Sequence, residues 1–321
     1  MTRPKVLITR HMPEPVLVRA NKSFDVILNP VDTPYAPDQM IAMSSQVDAI
    51  FACHSEVFTK SVVDALDPRV KIVACYSVGT DHCDLAAFSR RGIILTNTPD
   101  VLSDATAEIA LLLMLGAARR AVEGDRMVRG GAWQSWAPSF MNGKEVTGGR
   151  LGIIGLGRIG QAMARNARGL NMEIHYHNRH RLAADQEQGA VFHDNLDSLL
   201  AVSDFLSLHC PASEKTKGLM NRARFSQLPD GAVFVNAARG SLIDEGALLA
   251  ALQSGKLAAA GLDCFVNEPG GNPAFAAFDN IFMLPHIGSS TDRTRTNMGF
   301  RALDNLDAFF AGKPPKDRVT S

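Results

Sequence analysis

Short β-branched runs alternate with segments whose apolar residues recur at helical spacing, and the alternation is played out twice along the chain. In the first third the runs are "KVLITR", "DVILN", "VDAIFAC", "VKIVACYS" and "IILTN". Between them, segments such as "PDQMIAMSSQ" and "TKSVVDALDP" carry apolar residues at the period of a helix with one buried face. Five such units predict a parallel sheet covered by helices on both sides. From Val101 to Gly130 a long helical pattern follows, with Ser103 or Asp104 placed to cap it and Gly130-Gly131 to stop it. A single helix of that length can span two lobes. A second series then begins: "RLGIIG", "MEIHYHN", "DFLSLHC", "AVFVNAA", "LAAAGLDC" and "IFMLPH". Its rhythm predicts six strands in a second doubly wound sheet. The chain closes on "STDRTRTNMGFRALDNLDAFFAG", an amphipathic helix with no strand after it, expected to return to the first lobe. The predicted division is therefore residues 1–99 completed by 291–321, and residues 100–290.

Composition narrows the classes of partner. A length of 321 residues suits two lobes, each with its own core. Lysines plus arginines equal aspartates plus glutamates at 33 each, so no global field recruits nucleic acid or an anionic membrane. Any anion must be recognised locally. The longest apolar run, Ile109 to Ala118, is bounded by Glu108 and Arg119-Arg120. It falls well short of the roughly 20 residues a bilayer requires and reads as a buried helix. The opening "MTRPKVLITRHMPEP" reads as a strand and a turn without the features of a signal peptide, so the cytoplasm is the expected location. Five cysteines, an odd number without a CxxC pair, read as reduced thiols, most of them buried.

Chemistry enters with "RLGIIGLGRIGQAMARNA", where an apolar strand runs into glycines 155, 157 and 160 and a helix follows. In a dinucleotide-binding turn, Gly155 allows the tight bend, Gly157 admits a pyrophosphate and Gly160 allows close packing of helix on strand. Leu156, Arg158 and Ile159 complete the turn and the helix N-terminus, whose N–H groups suit an anion. GxGxxG alone is weak; the strand before it and the helix after it make it specific. Such a turn normally calls for an acid about twenty residues on, gripping a ribose 2′-hydroxyl. Here the second strand ends near His177 and the position reads Asn178-Arg179; Glu173 comes too early and Asp185 too late. With no fixed negative charge there, Arg179 and Arg181 can hold a 2′-phosphate by charge-assisted hydrogen bonds. NADPH is the expected cofactor, with NAD left open. The alternative is that both arginines are merely solvated at a strand end. His175, His177 and His180 invite a zinc reading, but no thiolate or carboxylate completes the set, and no metal is expected.

Ligands of open α/β sheets bind beyond the carboxyl ends of the strands. Just past three such ends stand Arg239, Glu268 and His286. A carbonyl that accepts hydride needs a proton donor at its oxygen, and His286 fits. A carboxylate on the far imidazole nitrogen favours the protonated ring and fixes its orientation, a role for Glu268. A planar guanidinium, Arg239, can bind a substrate carboxylate and polarise the adjacent carbonyl. Singly each has a duller explanation: a structural histidine, a glutamate at a turn, a surface arginine. Their convergence on strand ends favours the chemical one.

These residues lie in motifs of specific order and spacing that cover nearly the whole chain: "YSVGTDHCDLAAFSRRGIILTNTPD", "TAEIALLLML", "GGRLGIIGLGRIGQAMA", "HCPASEKTKGLMN", "VNAARGSLIDEGALLAAL", "GLDCFVNEP" and "LPHIGSSTDRTR". With them the chain resembles the D-isomer-specific 2-hydroxyacid dehydrogenases, and within that family the glyoxylate/hydroxypyruvate reductase branch. The resemblance implies a flavodoxin-like, discontinuous substrate domain and a Rossmann cofactor domain. It implies the same Arg239, Glu268 and His286, and adds the backbone N–H groups of Val78 and Gly79 for the substrate carboxylate. Around the cofactor it adds Thr106, Cys210, Pro211, Thr216, Ala237, Ala238, Asp263, Gly288 and Ser289, with Asp263 facing the nicotinamide amide. It further implies a homodimer in which Trp133 or Trp136 of "GAWQSWAP" approaches the partner's site, although two core tryptophans would look the same in sequence. The absence of a further domain after Ser321 counts against the longer phosphoglycerate dehydrogenases.

The expected activity is therefore NADPH-dependent reduction of glyoxylate, hydroxypyruvate or a similar small 2-keto acid to the D-2-hydroxy acid, with glyoxylate giving achiral glycolate. Two alternatives stay open at this level: a nucleotide-sensing protein resembling the corepressors that share this fold, and an NADH-preferring dehydrogenase for another D-2-hydroxy acid. Turnover of a 2-keto acid separates enzyme from sensor.

Overall fold

The computed structural model describes residues 3–319. It divides into two compact units, one running to Leu102 and resuming at Ser289, the other Ser103–Gly288.

In the first unit five strands, β1 (Lys5–Ile8), β2 (Asp25–Leu28), β3 (Ala49–Cys53), β4 (Ile72–Tyr76) and β5 (Ile94–Thr96), form a parallel sheet in the order β2-β1-β3-β4-β5. That is the flavodoxin-like order. The central strands are buried on both faces, which is why their sequences run apolar without alternation. The closing helix, Asp292–Phe310, packs against β4 and against the helix Glu14–Ser23. Arg19 of the latter donates to Asp304 at 2.6 Å and to Asp307 at 2.8 Å. Glu14–Ser23 starts in the stretch that the sequence suggests as a turn, its first two residues being the last two of "MTRPKVLITRHMPEP". Pro15 falls in its first turn, where a missing N–H removes no intrahelical bond.

The second unit holds seven parallel strands: β6 (Arg150–Ile154), β7 (Glu173–His177), β8 (Val191–Phe192), β9 (Phe205–Leu208), β10 (Ala232–Asn236), β11 (Leu257–Leu262) and β12 (Ile281–Met283). Their order is β12-β11-β10-β9-β6-β7-β8, so the chain reverses direction across the sheet between β6 and β9, where doubly wound folds open a ligand crevice. Alternate residues of β10 feed two cores: Val233 and Val235 on one face, Ala232 and Phe234 on the other. The two-residue β8 is a seventh strand beyond the six that the sequence predicts.

The long helical pattern is two helices, not one. Ser103–Ala118 stops, Arg120 takes the left-handed conformation at φ 56°, and Ala121–Arg129 follows. Continuing the first helix would commit the Ala118 carbonyl to the next turn, but the Lys144 N–H takes it at 2.8 Å. The Arg120 guanidinium is held by Glu123 at 2.7 and 2.9 Å, bracing the new start. The first helix is buried against β10, β11 and β12, and no helix among the described residues is long and apolar enough to cross a membrane.

Candidate functional site

The fingerprint turn leaves β6 at Gly155, whose φ of 97° is strained for any residue with a side chain. A Cβ there would also stand 2.6 Å from the Cys210 N and 2.8 Å from the Cys210 Cα. The loop after β6 thus lies directly on the loop after β9, at the point where the strand order reverses. A Cβ on Gly160 would meet the Gly155 carbonyl oxygen at 2.3 Å, so helix Arg158–Arg168 packs tightly on the turn. Gly157 begins that helix without a side-chain cap, and space is open beside its Cα. The first N–H groups of a helix have no intrahelical partner, and with no side chain at Gly157 the turn can be approached closely, which fits a pyrophosphate. Pro211 and Thr216 belong to the same β9 loop, which is closed by a Thr216 Oγ1 to Pro211 O hydrogen bond of 2.9 Å.

Asn178 follows β7 and reaches back to this turn: its Oδ1 accepts the Leu156 N–H at 2.7 Å. Arg179 is exposed and makes no ion pair with a described residue. Arg181 behaves differently, because it has a partner within the protein. Its Nε and Nη2 donate to the two Glu187 oxygens at 2.8 and 3.1 Å, and Tyr176 Oη donates to Glu187 Oε1 at 2.5 Å. The Nε and Nη2 edge of this guanidinium is thus engaged by Glu187. The Arg181 and Tyr176 hydrogen bonds hold the Glu187 carboxyl below the usual glutamate range, so the pair stays ionised at neutral pH. The neighbouring histidines also have protein partners: His175 Nδ1 meets His193 Nε2 at 3.0 Å, and His177 Nδ1 donates to the His193 carbonyl at 2.8 Å.

His209, at the end of β9, shares a 2.8 Å hydrogen bond with Ser207 Oγ. Burial pushes its pKa from 6.5 down to about 4, so a neutral imidazole sits beside the turn. Between those two values the unfolded chain binds the extra proton and the folded chain does not, so stability falls as pH drops through that window. Replacing His209 with glutamine is expected to remove on the order of 3 kcal/mol of this acid-side loss. Denaturant melts at pH 7 and pH 4.5 measure it, and an unchanged difference from wild type between the two would refute the assignment.

The three chemical candidates come from the ends of β10, β11 and β12. After β10, buried Asn236 shapes the turn: its Nδ2 donates to the Arg239 carbonyl at 2.8 Å and its Oδ1 accepts the Ala238 N–H at 3.0 Å, across Ala237. Gly240 follows, and a Cβ on it would lie 1.9 Å from the Phe265 carbonyl carbon. This close approach sets Arg239 against the segment that leads from β11 to Glu268. Glu268 is anchored by the Phe265 N–H, 2.7 Å from Oε1, and its Oε2 lies 2.6 Å from His286 Nδ1. Burial on its own would raise the Glu268 carboxyl. The His286 and Phe265 hydrogen bonds, with the His286 and Arg239 charges, outweigh it and hold the carboxyl below its ordinary value.

His286 is held at φ 52°, a conformation that few residues other than glycine adopt. The clamp is Asp263, almost fully buried at the end of β11, whose two oxygens accept the Ile287 and Gly288 N–H groups, each at 2.8 Å. Burial raises the Asp263 carboxyl, and these two N–H groups and the His286 charge only partly offset it. Thr106 packs beside Gly288, its Cγ2 and the Asp263 Oδ2 each 3.3 Å from where a Cβ on that glycine would stand. Cys264 Sγ lies within 4.8 Å of donor atoms of both Glu268 and His286. Val78, Gly79 and Ser289 belong to the other unit: the first two follow β4, where the Val78 carbonyl accepts Asn97 Nδ2 and the Gly79 carbonyl accepts Ser77 Oγ, both at 2.8 Å. Trp133 and Trp136 are exposed, which sets aside the core alternative for both. Sequence reasoning passes over Asn236, Gly240 and His209. Gly240 directly after Arg239 is the one signal that was present.

This constellation places a carboxylate, an imidazole and a guanidinium together beyond three neighbouring strands, in the unit whose β6 turn fits a dinucleotide. Residues 111–288 match the model of the D-isomer specific 2-hydroxyacid dehydrogenase NAD binding domain. A glycerate dehydrogenase from Hyphomicrobium methylovorum is 43% identical over 314 residues, covering 97% of this chain and 98% of its own. A glyoxylate reductase from Thermococcus kodakarensis is 41% identical over 322 residues, covering 99% and 96%. Among solved structures, the NADPH-dependent glyoxylate/hydroxypyruvate reductase of Sinorhizobium meliloti, in complex with NADP and malonate, superposes with a TM-score of 0.88 at 32% identity, covering 99% of this chain and 97% of that one. On its fold, its strand-end residues and these likenesses, the chain belongs to the D-isomer specific 2-hydroxyacid dehydrogenase family, on the branch that holds the glyoxylate reductases.

Proposed function

We propose that this enzyme reduces a small 2-keto acid of the glyoxylate and hydroxypyruvate class to the D-2-hydroxy acid, with NADPH preferred over NADH. The observation that carries the reading is the 2.6 Å pair between His286 Nδ1 and Glu268 Oε2 beside Arg239. Glu268 occupies Nδ1 and thereby assigns Nε2 to proton delivery. His286 gives that proton to the carbonyl oxygen as negative charge develops on it. Arg239 binds the substrate carboxylate and steadies the same oxygen. The dinucleotide, when bound along the Gly155–Gly160 turn, supplies the hydride. Asp263 keeps the backbone after His286 in place, so the ring presents one geometry through the step.

The cofactor preference rests on Asn178 standing where an acid would repel a phosphate, and on exposed Arg179 next to it. Arg181 supports the loop through Glu187 and is not a ligand in this reading. Arg179→Ala is expected to lower the ratio of NADPH to NADH catalytic efficiency by about 10- to 100-fold, the loss of a charge-assisted hydrogen bond. Steady-state oxidation of each nucleotide with glyoxylate and with hydroxypyruvate measures both parts of the proposal. An unchanged ratio sinks the preference, and nucleotide binding without turnover of either acid sinks the reaction. The exposed Trp133 and Trp136 accord with a homodimer in which one of them serves the partner's site, and sedimentation of the wild type tests the assembly.

A further inference from the structure

Outside the site described above, one cluster of metal-binding side chains lies wholly within the first unit. Cys75 is the penultimate residue of β4, and His82 and Cys83 close the loop that follows, shortly before the helix Leu85–Arg91. The two sulfurs are 3.9 Å apart, both cysteines are free thiols, and both are buried. A donor atom of His82 and the two sulfurs all lie within 4.8 Å of one another.

Two features bear on what this cluster does. Two thiolates on a tetrahedral zinc, each about 2.3 Å from the ion, stand about 3.8 Å apart. The observed separation already matches that edge. Independently, His82 Nε2 is sealed from solvent, and the polar group the imidazole meets is the Cys75 thiol. A buried nitrogen is seldom left to a thiol, a weak partner, because burial removes its water and returns little. Weak contacts of the Cys75 thiol with Cys83 and with His82 leave all three groups poorly satisfied. One cation accounts for all three groups.

We propose that Cys75, His82 and Cys83 bind a thiophilic divalent cation, with zinc as the natural occupant. Sulfur and imidazole donors favour zinc over magnesium or calcium, which take oxygen ligands. On binding, two thiol protons pass to solvent and two thiolates and one neutral imidazole ligate the ion, with no change of oxidation state. A fourth position stays open to water or another ligand. The chelate closes residues 75–83 into a ring that contains Val78 and Gly79, so occupancy braces that loop. The site does not depend on the hydride-transfer reading.

The test uses full-length protein, reduced and stripped of metal, titrated with Cd²⁺ while thiolate-to-cadmium charge-transfer absorption is followed in the ultraviolet. The wild type and Cys264→Ala should both saturate at one equivalent with the absorption of two thiolates. Cys75→Ala with Cys83→Ala should lose it, and His82→Gln should weaken binding by at least about 10-fold. No band in the wild type, or a full band in the double cysteine variant, overturns the site. Because Cys75 is fully buried, thermal melts with and without Zn²⁺ give a second reading that leaves the cysteines intact. Zinc should raise the wild-type midpoint and raise that of His82→Gln less; an equal rise in both overturns the assignment.

Discussion

Replacing His286 with alanine is expected to lower kcat by about 10²- to 10⁴-fold, the usual contribution of a positioned proton donor. In the proposed reaction the imidazole is the proton donor of the three. Glu268 cannot stand in for it, since its carboxyl titrates below the ordinary glutamate range and is ionised throughout a neutral assay. Glu268→Gln should show a smaller loss, because the amide can still touch Nδ1 at the 2.6 Å site but carries no charge. Circular dichroism establishes that each variant is folded. Near-normal turnover of His286→Ala with glyoxylate or hydroxypyruvate would remove His286 from the reaction.

Arg239→Lys is expected to lower kcat/KM by about 10²- to 10³-fold, on the scale of losing one donor to a developing oxyanion. The charge is conserved, so any loss reports the planar fork rather than the field. Asn236 grips the Arg239 carbonyl, a bond the substitution keeps, although the Arg239 Nη1 bond to the Ala238 carbonyl at 2.8 Å goes with the guanidinium. Both KM and kcat should suffer, since the same guanidinium is assigned to the substrate carboxylate and to the reacting oxygen. Kinetics like wild type would contradict both roles.

The strands that build the candidate site were legible because a sheet buried on both faces needs unbroken apolar runs, and such runs have visible ends. Arg239, Glu268 and His286 stand just past three of those ends, so the pairing of Glu268 with His286 could be anticipated without coordinates. Other features turn on geometry that sequence spacing does not encode. Arg181 and Glu187 are six apart, outside the three-or-four rule for helical pairs, and meet only because the intervening chain folds back on Tyr176. The break at Arg120 is set by Lys144, more than twenty residues away, taking a carbonyl the helix would otherwise use. β8 is two residues long, too short to show any period. The helix Glu14–Ser23 hides behind prolines that resemble a turn and in fact suit a first helical turn.

The left-handed backbone at His286 has a further consequence for anyone evolving this enzyme. Glycine occupies that region without steric penalty and asparagine tolerates it better than most residues. A library screened for heat resistance alone should therefore enrich clones that have traded the imidazole for one of them and lost turnover, since strain at a working residue is relieved most easily by discarding the residue. Selection for robustness in this scaffold has to be coupled at every round to a demand for product.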